Sequence, residues 1–220
     1  MKDELKGILE DGIMEISADL LTEQALRRLC RLFDEIELFN PVYSLVNADG
    51  RDLVVRHILD CLAPVPLMKE KAGQDLRSLA DLGSGSGLPG LVLASVLDES
   101  SITLVERMGR RAGFLRNTVA AMGLTQNVTV AQKDLSEVRD TFKAITFRAF
   151  RPFKDIISDL DRILEPGGHV FAYKSSEENI REELDVIEAY GGCRFSCEIL
   201  PCRVPLLEAK RSLLVLQKHA

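Results

Sequence analysis

Ten residues, Asp81-Leu82-Gly83-Ser84-Gly85-Ser86-Gly87-Leu88-Pro89-Gly90, lie between an expected strand and an expected helix. Glycines let a backbone turn sharply and approach a ligand that any Cβ would push away. A glycine loop that closes a strand and opens a helix belongs to doubly wound α/β sheets. The downstream chain agrees, because short apolar strands alternate with helices there and so imply a mostly parallel sheet.

Strands are expected near Leu76–Leu82, Ile102–Glu106, Val128–Gln132, Ala144–Phe147, His169–Tyr173, Arg194–Leu200 and Ser212–Gln217. Helices are expected over Pro89–Leu97, Arg110–Met122, Pro152–Leu164 and Ser176–Tyr190, with Gly123, Pro166-Gly167-Gly168 and Gly191-Gly192 as stops. Only the last two strands are expected to lack a helix between them. Their short link, with Pro201 and Pro205, suits an antiparallel hairpin and not a parallel crossover. The expected layout is a seven-stranded sheet, mostly parallel, ending in an antiparallel hairpin.

Upstream, Leu21, Ala25, Leu29, Leu32, Ile36 and Phe39 recur at helical spacing, and Asn40-Pro41 is expected to stop that helix. A second helix is expected from Asp52 to about Met68, disturbed by Pro64 and Pro66. The chain is thus divided into a helical extension, residues 1–50, and an α/β domain, residues 51–220.

The 220 residues carry a net charge of −6. Residues 1–40 hold 10 acidic and 5 basic side chains, so the acidity concentrates in the extension and the rest of the chain retains the means for a basic face. Weak, non-specific nucleic-acid binding would be slight, since it scales with the phosphates neutralised. Apolar runs such as Leu91–Leu97 fall far short of the roughly 20 residues of a membrane-spanning helix. The N-terminus lacks the pattern of a secretory signal. A cytoplasmic protein is expected. Its oligomeric state is left open, with a monomer as the default. Five cysteines without a CxxC pair argue against a disulfide framework and a common zinc motif; Cys193, Cys197 and Cys202 are read as reduced thiols, not metal ligands.

Gly85-x-Gly87-x-x-Gly90 also satisfies the dinucleotide pattern, so the glycines alone leave a dinucleotide site, or a mere tight corner, open. Context favours S-adenosylmethionine. A carboxylate at Asp81 would repel a pyrophosphate, but would receive the cationic methionine end of that donor, directly or through water. Glu106, at the end of the second strand, stands where ribose hydroxyls are accepted. Asp134 follows the third strand, where an adenine edge lies in such folds, and Leu88 would add apolar contact.

Further segments carry a family likeness. They are Asn40–Val46, Arg56-His57-Ile58-Leu59-Asp60, Asp81–Gly90, Gly109–Arg116, Arg148-Ala149-Phe150, Pro166-Gly167-Gly168 to Lys174, and Arg211. In that order they resemble the ribosomal RNA small-subunit methyltransferase G (glucose-inhibited division protein B) family, over nearly the whole chain. Cys61, Phe147 and Ser175 depart from the serine, small residue and glycine usual there. The resemblance implies a Rossmann-like class I methyltransferase fold. It also implies methyl transfer to N7 of a guanine of 16S ribosomal RNA, guanine 527 in the 530 loop. By matching positions it puts the cofactor on Gly83, Leu88, Asp134, Leu135 and Arg148, with Asp81, Gly85, Gly87 and Glu106 from the loop and second strand. Arg148 and Lys174 would bear on catalysis, and Arg110, Arg111, Lys133, Lys174 and Arg211 on the RNA. The partner would be 16S ribosomal RNA or the small ribosomal subunit.

Guanine N7 carries a lone pair and no proton, so displacement at a sulfonium methyl needs alignment more than a general base. Arg148 is expected to grip O6 or a phosphate with its fork. His57 would share a helix face with Asp60 and Cys61, with Arg56 facing Asp60. A packed imidazole beside a surface ion pair is the competing reading. A methyltransferase for another substrate, a non-catalytic RNA-binding or ribosome-assembly protein, and an oxidoreductase are the alternative functions.

Overall fold

The computed structural model describes residues 1–175, 177–191 and 194–219. Helix α1 (Asp3–Ile16) and helix α2 (Glu23–Tyr43) come first. The Thr22 hydroxyl starts α2 by accepting the amide of Ala25 at 3.0 Å. The helix runs through Asn40-Pro41 instead of stopping there. Pro41 lies in the last turn, where little ladder remains to lose, and Ser44 ends the helix in the left-handed region, donating its amide to the Asn40 carbonyl. The Asn40 side chain then fixes the exit by accepting the Val46 amide and donating to the Ala48 carbonyl.

The helix expected over Asp52–Met68 is divided. Helix α3 (Gly50–Leu53) passes through a π-helical turn (Val54–Leu59) into α4 (Asp60–Leu62), and α5 (Val65–Ala72) restarts at Pro64. Proline at a first turn lacks only an amide that would be unpaired anyway. The π turn had no signal in apolar spacing. Such turns occur often at functional sites, and this one carries His57.

The sheet comprises β1 (Ser78–Leu82), β2 (Ser101–Val105), β3 (Val128–Ala131), β4 (Phe142–Arg148), β5 (Leu164–Lys174), β6 (Phe195–Cys202) and β7 (Arg211–Lys218). Their order is β3-β2-β1-β4-β5-β7-β6. Strands β1 to β5 are parallel, and β7 runs antiparallel to both β5 and β6, as the short final link requires. Helices α6 (Gly90–Val96), α7 (Gly109–Ala121), α8 (Phe153–Ile163) and α9 (Glu177–Gly191) form the crossovers. Ser176 and Cys193, which enter the expectations for α9 and the thiol cluster, lie outside the described residues.

Two connections differ from expectation. Between β3 and β4 there is only a 3-10 turn, Leu135–Glu137. A capping box of Asp134 and Glu137 holds it, and Arg162 donates to the carbonyls of Leu135 and Val138, so no helix is needed. The Pro166-Gly167-Gly168 stop lies inside β5, where a register shift between Phe142 and Ala144 absorbs it as a bulge.

One core lies on each face of the sheet. The first joins α1, α2 and the residue 50–72 helices to α6 and α7 through residues such as Leu29, Ile58, Leu91 and Phe114. The second packs α8 and α9 on the other face through Phe147, Phe153, Ile157 and Ile187. No helix among the described residues is long and apolar enough to cross a membrane.

Candidate active site

Strand order reverses between β1 and β4, since β1 feeds outward to β2 and β3 while β4 lies on its other side. Ligands bind at such a switch, outside the carboxyl ends of the strands. Here the reversal brings the glycine loop after β1 beside Arg148 at the end of β4. Asp81 is in register with Thr146, two residues before that arginine.

Two clefts open along this edge. The smaller, about 250 Å³, is lined by Gly83, Glu106, Arg111, Lys133, Asp134 and Leu135, among others. The larger, about 610 Å³, includes His57, Asp60, Arg148, Tyr173, Lys174 and Arg211 in its wall. Ala149, Phe150 and Arg151 belong to both. Ala149 takes φ 50°, a left-handed conformation rare for a residue with a Cβ, which turns the chain out of β4 between the clefts.

In the smaller cleft Gly83 has φ 69°, and a Cβ on it would lie 2.2 Å from the Phe150 ring. The ring therefore rests against the bare α-carbon, and the Arg151 guanidinium lies over it, 5.3 Å from its centroid. The Glu106 carboxylate accepts the amides of Gly85 (3.0 Å) and Met108 (2.8 Å), which aims it along the cleft floor. Asp134 accepts from Arg151 at 2.6 Å and from the Ser136 amide, and these contacts hold its carboxyl below the usual range.

Asp81 does not line this cleft. It is fully buried beneath the loop, where Oδ2 accepts the Gly90 amide at 3.1 Å and Oδ1 has no hydrogen-bond partner among the described residues. A Cβ on Gly90 would come within 2.6 Å of that carboxylate, so only glycine permits the approach. Burial pushes the Asp81 carboxyl up from 3.8 to about 7. The folded protein thus holds this proton more tightly than the unfolded chain. The stability it contributes is full below about pH 4, declines as pH rises to about 7, and is level above that. Asp81→Asn is expected to lose that decline: the urea midpoint of the variant relative to wild type rises from pH 5 to 7 and then stops changing. A pH-independent difference would contradict the assignment.

The Leu88 side chain packs in the first core. Gly85 and Gly87 serve the loop's backbone, both with positive φ. Arg110 stands exposed at the start of α7, apart from both clefts, whereas Arg111 and Lys133 reach the smaller one.

The larger cleft is organised by Asp60. Its Oδ2 accepts from Arg148 Nη1 at 3.0 Å and its Oδ1 from Arg211 Nε at 2.7 Å. The expected Arg56–Asp60 pairing does not form. Arg56 reaches Asp52 at 3.7 Å, because the π turn swings Asp60 inward while Arg56 stays exposed. Arg148 is therefore not a free fork: Nη1 is bound to Asp60 and Nη2 lies 3.0 Å from His57 Nδ1. Burial, and then the Arg148 charge, push His57 down to about 4. Lys174 pairs with Glu183 and lies 5.1 Å from the Phe153 ring centroid, so its ammonium is also engaged. Among the described residues five cationic and three anionic side chains line this cleft, an excess of positive charge. Cys61 is buried, and its carbonyl accepts the Tyr173 hydroxyl at 2.9 Å. Arg151 is a site residue that the sequence reading does not single out; its place directly after Arg148-Ala149-Phe150 is the available signal. Among the described residues no group of three or more His, Cys, Asp or Glu is placed to hold a metal ion.

The sheet order, its reversed strand and the glycine loop at the switch define a class I S-adenosylmethionine-dependent methyltransferase fold. Solved structures agree: a methyltransferase from Pyrococcus furiosus has TM-score 0.59 at 16% identity, over 88% of this chain and 98% of that one. A tRNA (m1A58) methyltransferase from Aquifex aeolicus has TM-score 0.57 at 14% identity, over 74% and 69%. The chain belongs to the rRNA small subunit methyltransferase G family, whose sequence model matches residues 25–199. A family member from Treponema pallidum is 33% identical over 219 residues, covering 96% of this chain and 93% of its own. One from Borrelia turicatae is 34% identical over 170 residues, covering 76% and 80%.

Proposed function

We propose that this protein methylates N7 of a guanine in 16S ribosomal RNA, guanine 527 of the 530 loop, with S-adenosylmethionine as donor. The observation that carries the reading is the shared wall of the two clefts. A glycine-loop cleft suited to a nucleoside and an electropositive cleft suited to RNA meet at Ala149–Arg151, so donor and base would come together at the end of β4.

The donor supplies an electrophilic methyl group on a sulfonium. The chain's own residues fit it. Gly83 lets the Phe150 ring close against the turn, Glu106 is braced to accept ribose hydroxyls, and the orphaned Oδ1 of Asp81 puts a carboxyl group under the loop for a cationic ligand. Asp81 would act from beneath the loop, not by direct contact. Asp134 and Leu135 would border the adenine. Arg111, Lys133, Lys174 and Arg211 would track the RNA, with Arg110 at the rim. Arg148, held by Asp60, would orient the base edge through the groups it touches. Residues 1–50 are taken as a helical extension of the catalytic domain, residues 51–220.

No general base is assigned. Guanine N7 bears no proton, and His57 is unsuited to accept one, since Arg148 already donates to its Nδ1. The test is to incubate small subunits from cells lacking this protein with the purified enzyme and labelled S-adenosylmethionine, then cleave chemically at N7-methylguanine. One break, at guanine 527, is expected. Label on another atom, or no saturable donor binding, would overturn the reading; the latter would favour a non-catalytic RNA-binding protein.

A further inference from the structure

We infer that His57 reads O6 of the target guanine, as a neutral hydrogen-bond donor whose tautomer is set by Arg148. The inference rests on the guanine-N7 reading above and names the residue that selects the base.

A guanidinium has donors and no acceptor. With Arg148 Nη2 at 3.0 Å, the Nδ1 atom of His57 must therefore be the acceptor, and the ring proton sits on Nε2. The arrangement is braced from behind. Arg148 is held by Asp60 at 3.0 Å, and Asp60 by Arg211 at 2.7 Å. Along this chain each charge has its partner, while His57 Nε2 has none among the described residues. The imidazole belongs to the wall of the larger cleft, as do Arg148, Ala149 and Phe150 from the end of β4.

The N7 edge of guanine offers two acceptors, N7 and O6, whereas adenine offers N7 and an N6 amine. A donor that cannot become an acceptor pairs with O6 and opposes the amine. N7 itself must stay bare for the methyl group. The purine also gains positive charge as it is methylated, so an uncharged donor at its edge opposes the reaction less than a cation would. The imidazole meets that condition. Arg148, Asp60, Arg56 and Asp52 are the charged groups around it, and burial with the Arg148 charge keeps it unprotonated near neutral pH. Arg148 is less suited to the same contact: one N–H of each Nη is held by Asp60 and His57, and the N–H groups that remain belong to a cation, which opposes the charge growing on the purine.

The test couples the side chain to the atom it is said to read. Reconstituted small subunits carry either guanine or 2-aminopurine, which keeps N7 and lacks O6, at the target position. In wild type the loss of O6 is expected to lower kcat/KM about 10-fold, the scale of one hydrogen bond. In His57→Ala the same base change is expected to cost less than about threefold, with S-adenosylmethionine affinity retained as a check on folding. His57→Gln, which accepts from Arg148 and still presents an N–H, is expected to restore most of the discrimination, and it decides the matter if the alanine variant does not fold. Equal losses in wild type and both variants would overturn the inference and leave the guanine-N7 reading intact. Failure of wild type to methylate guanine N7 at all would remove both.

Discussion

Asp60→Ala is expected to lower the stability of the protein by about 3–5 kcal/mol and methyl transfer by more than about 100-fold. The Asp60 side chain is 7% exposed and stands between two arginines that are 18% and 20% exposed. Removing it leaves Arg148 and Arg211 side by side, half-desolvated and mutually repelling. Losing one member of a buried ion pair costs more than the pair contributes, because the remaining charge still lacks water. Arg148 would then drift from His57, so the activity loss should exceed what the unfolded fraction explains. Urea titration and single-turnover methylation below the transition check the two parts. Asp60→Ala together with Arg211→Met removes one of the stranded charges, and should recover part of the stability but little of the activity. A stability loss under about 1 kcal/mol would mean that water already screens the cluster.

Gly83→Val is expected to weaken S-adenosylmethionine binding by at least about 100-fold, for two separable reasons. At φ 69° a β-branched residue is strained, by roughly 1–3 kcal/mol. Its Cβ would also meet the Phe150 ring at 2.2 Å, so the ring or the loop must move. The ring is not free to do so cheaply, since it lies 6.2 Å from Phe147 and under Arg151, which is tied to Asp134. Gly83→Ala with Phe150→Ala relieves the collision and keeps the backbone strain. Calorimetric titration with the donor should place that double variant between wild type and Gly83→Val. Equal affinity for wild type and Gly83→Val would show that the donor does not lie against this turn.

Much of the fold was legible because its signals are local. Strand alternation, the proline before α5 and the short link before β7 each act within a few residues, although Pro201, expected in that link, lies within β6. Features that depend on contacts from elsewhere in the chain escaped. Helix α2 runs past Pro41 because the Asn40 side chain and Ser44 remake the exit, and no propensity rule includes those contacts. The β3–β4 link dispenses with a helix because Arg162, on α8, caps its carbonyls. The π turn over Val54–Leu59 leaves the same apolar spacing as an ordinary helix, so helical spacing pairs Asp60 with Arg56, whereas the structure pairs it with Arg148.

By itself the sequence determined the order of elements, the glycine turn at the first strand and the family, since these depend on residue types at fixed spacing along one chain. Only the tertiary structure decided the chemistry of the larger cleft. Asp60 lies 88 residues from Arg148 and 151 from Arg211, and the ionic state of His57 follows from burial and from a charge 91 residues away. Desolvation and Coulomb coupling act through space, and no local pattern records which distant groups the sheet will bring to one edge.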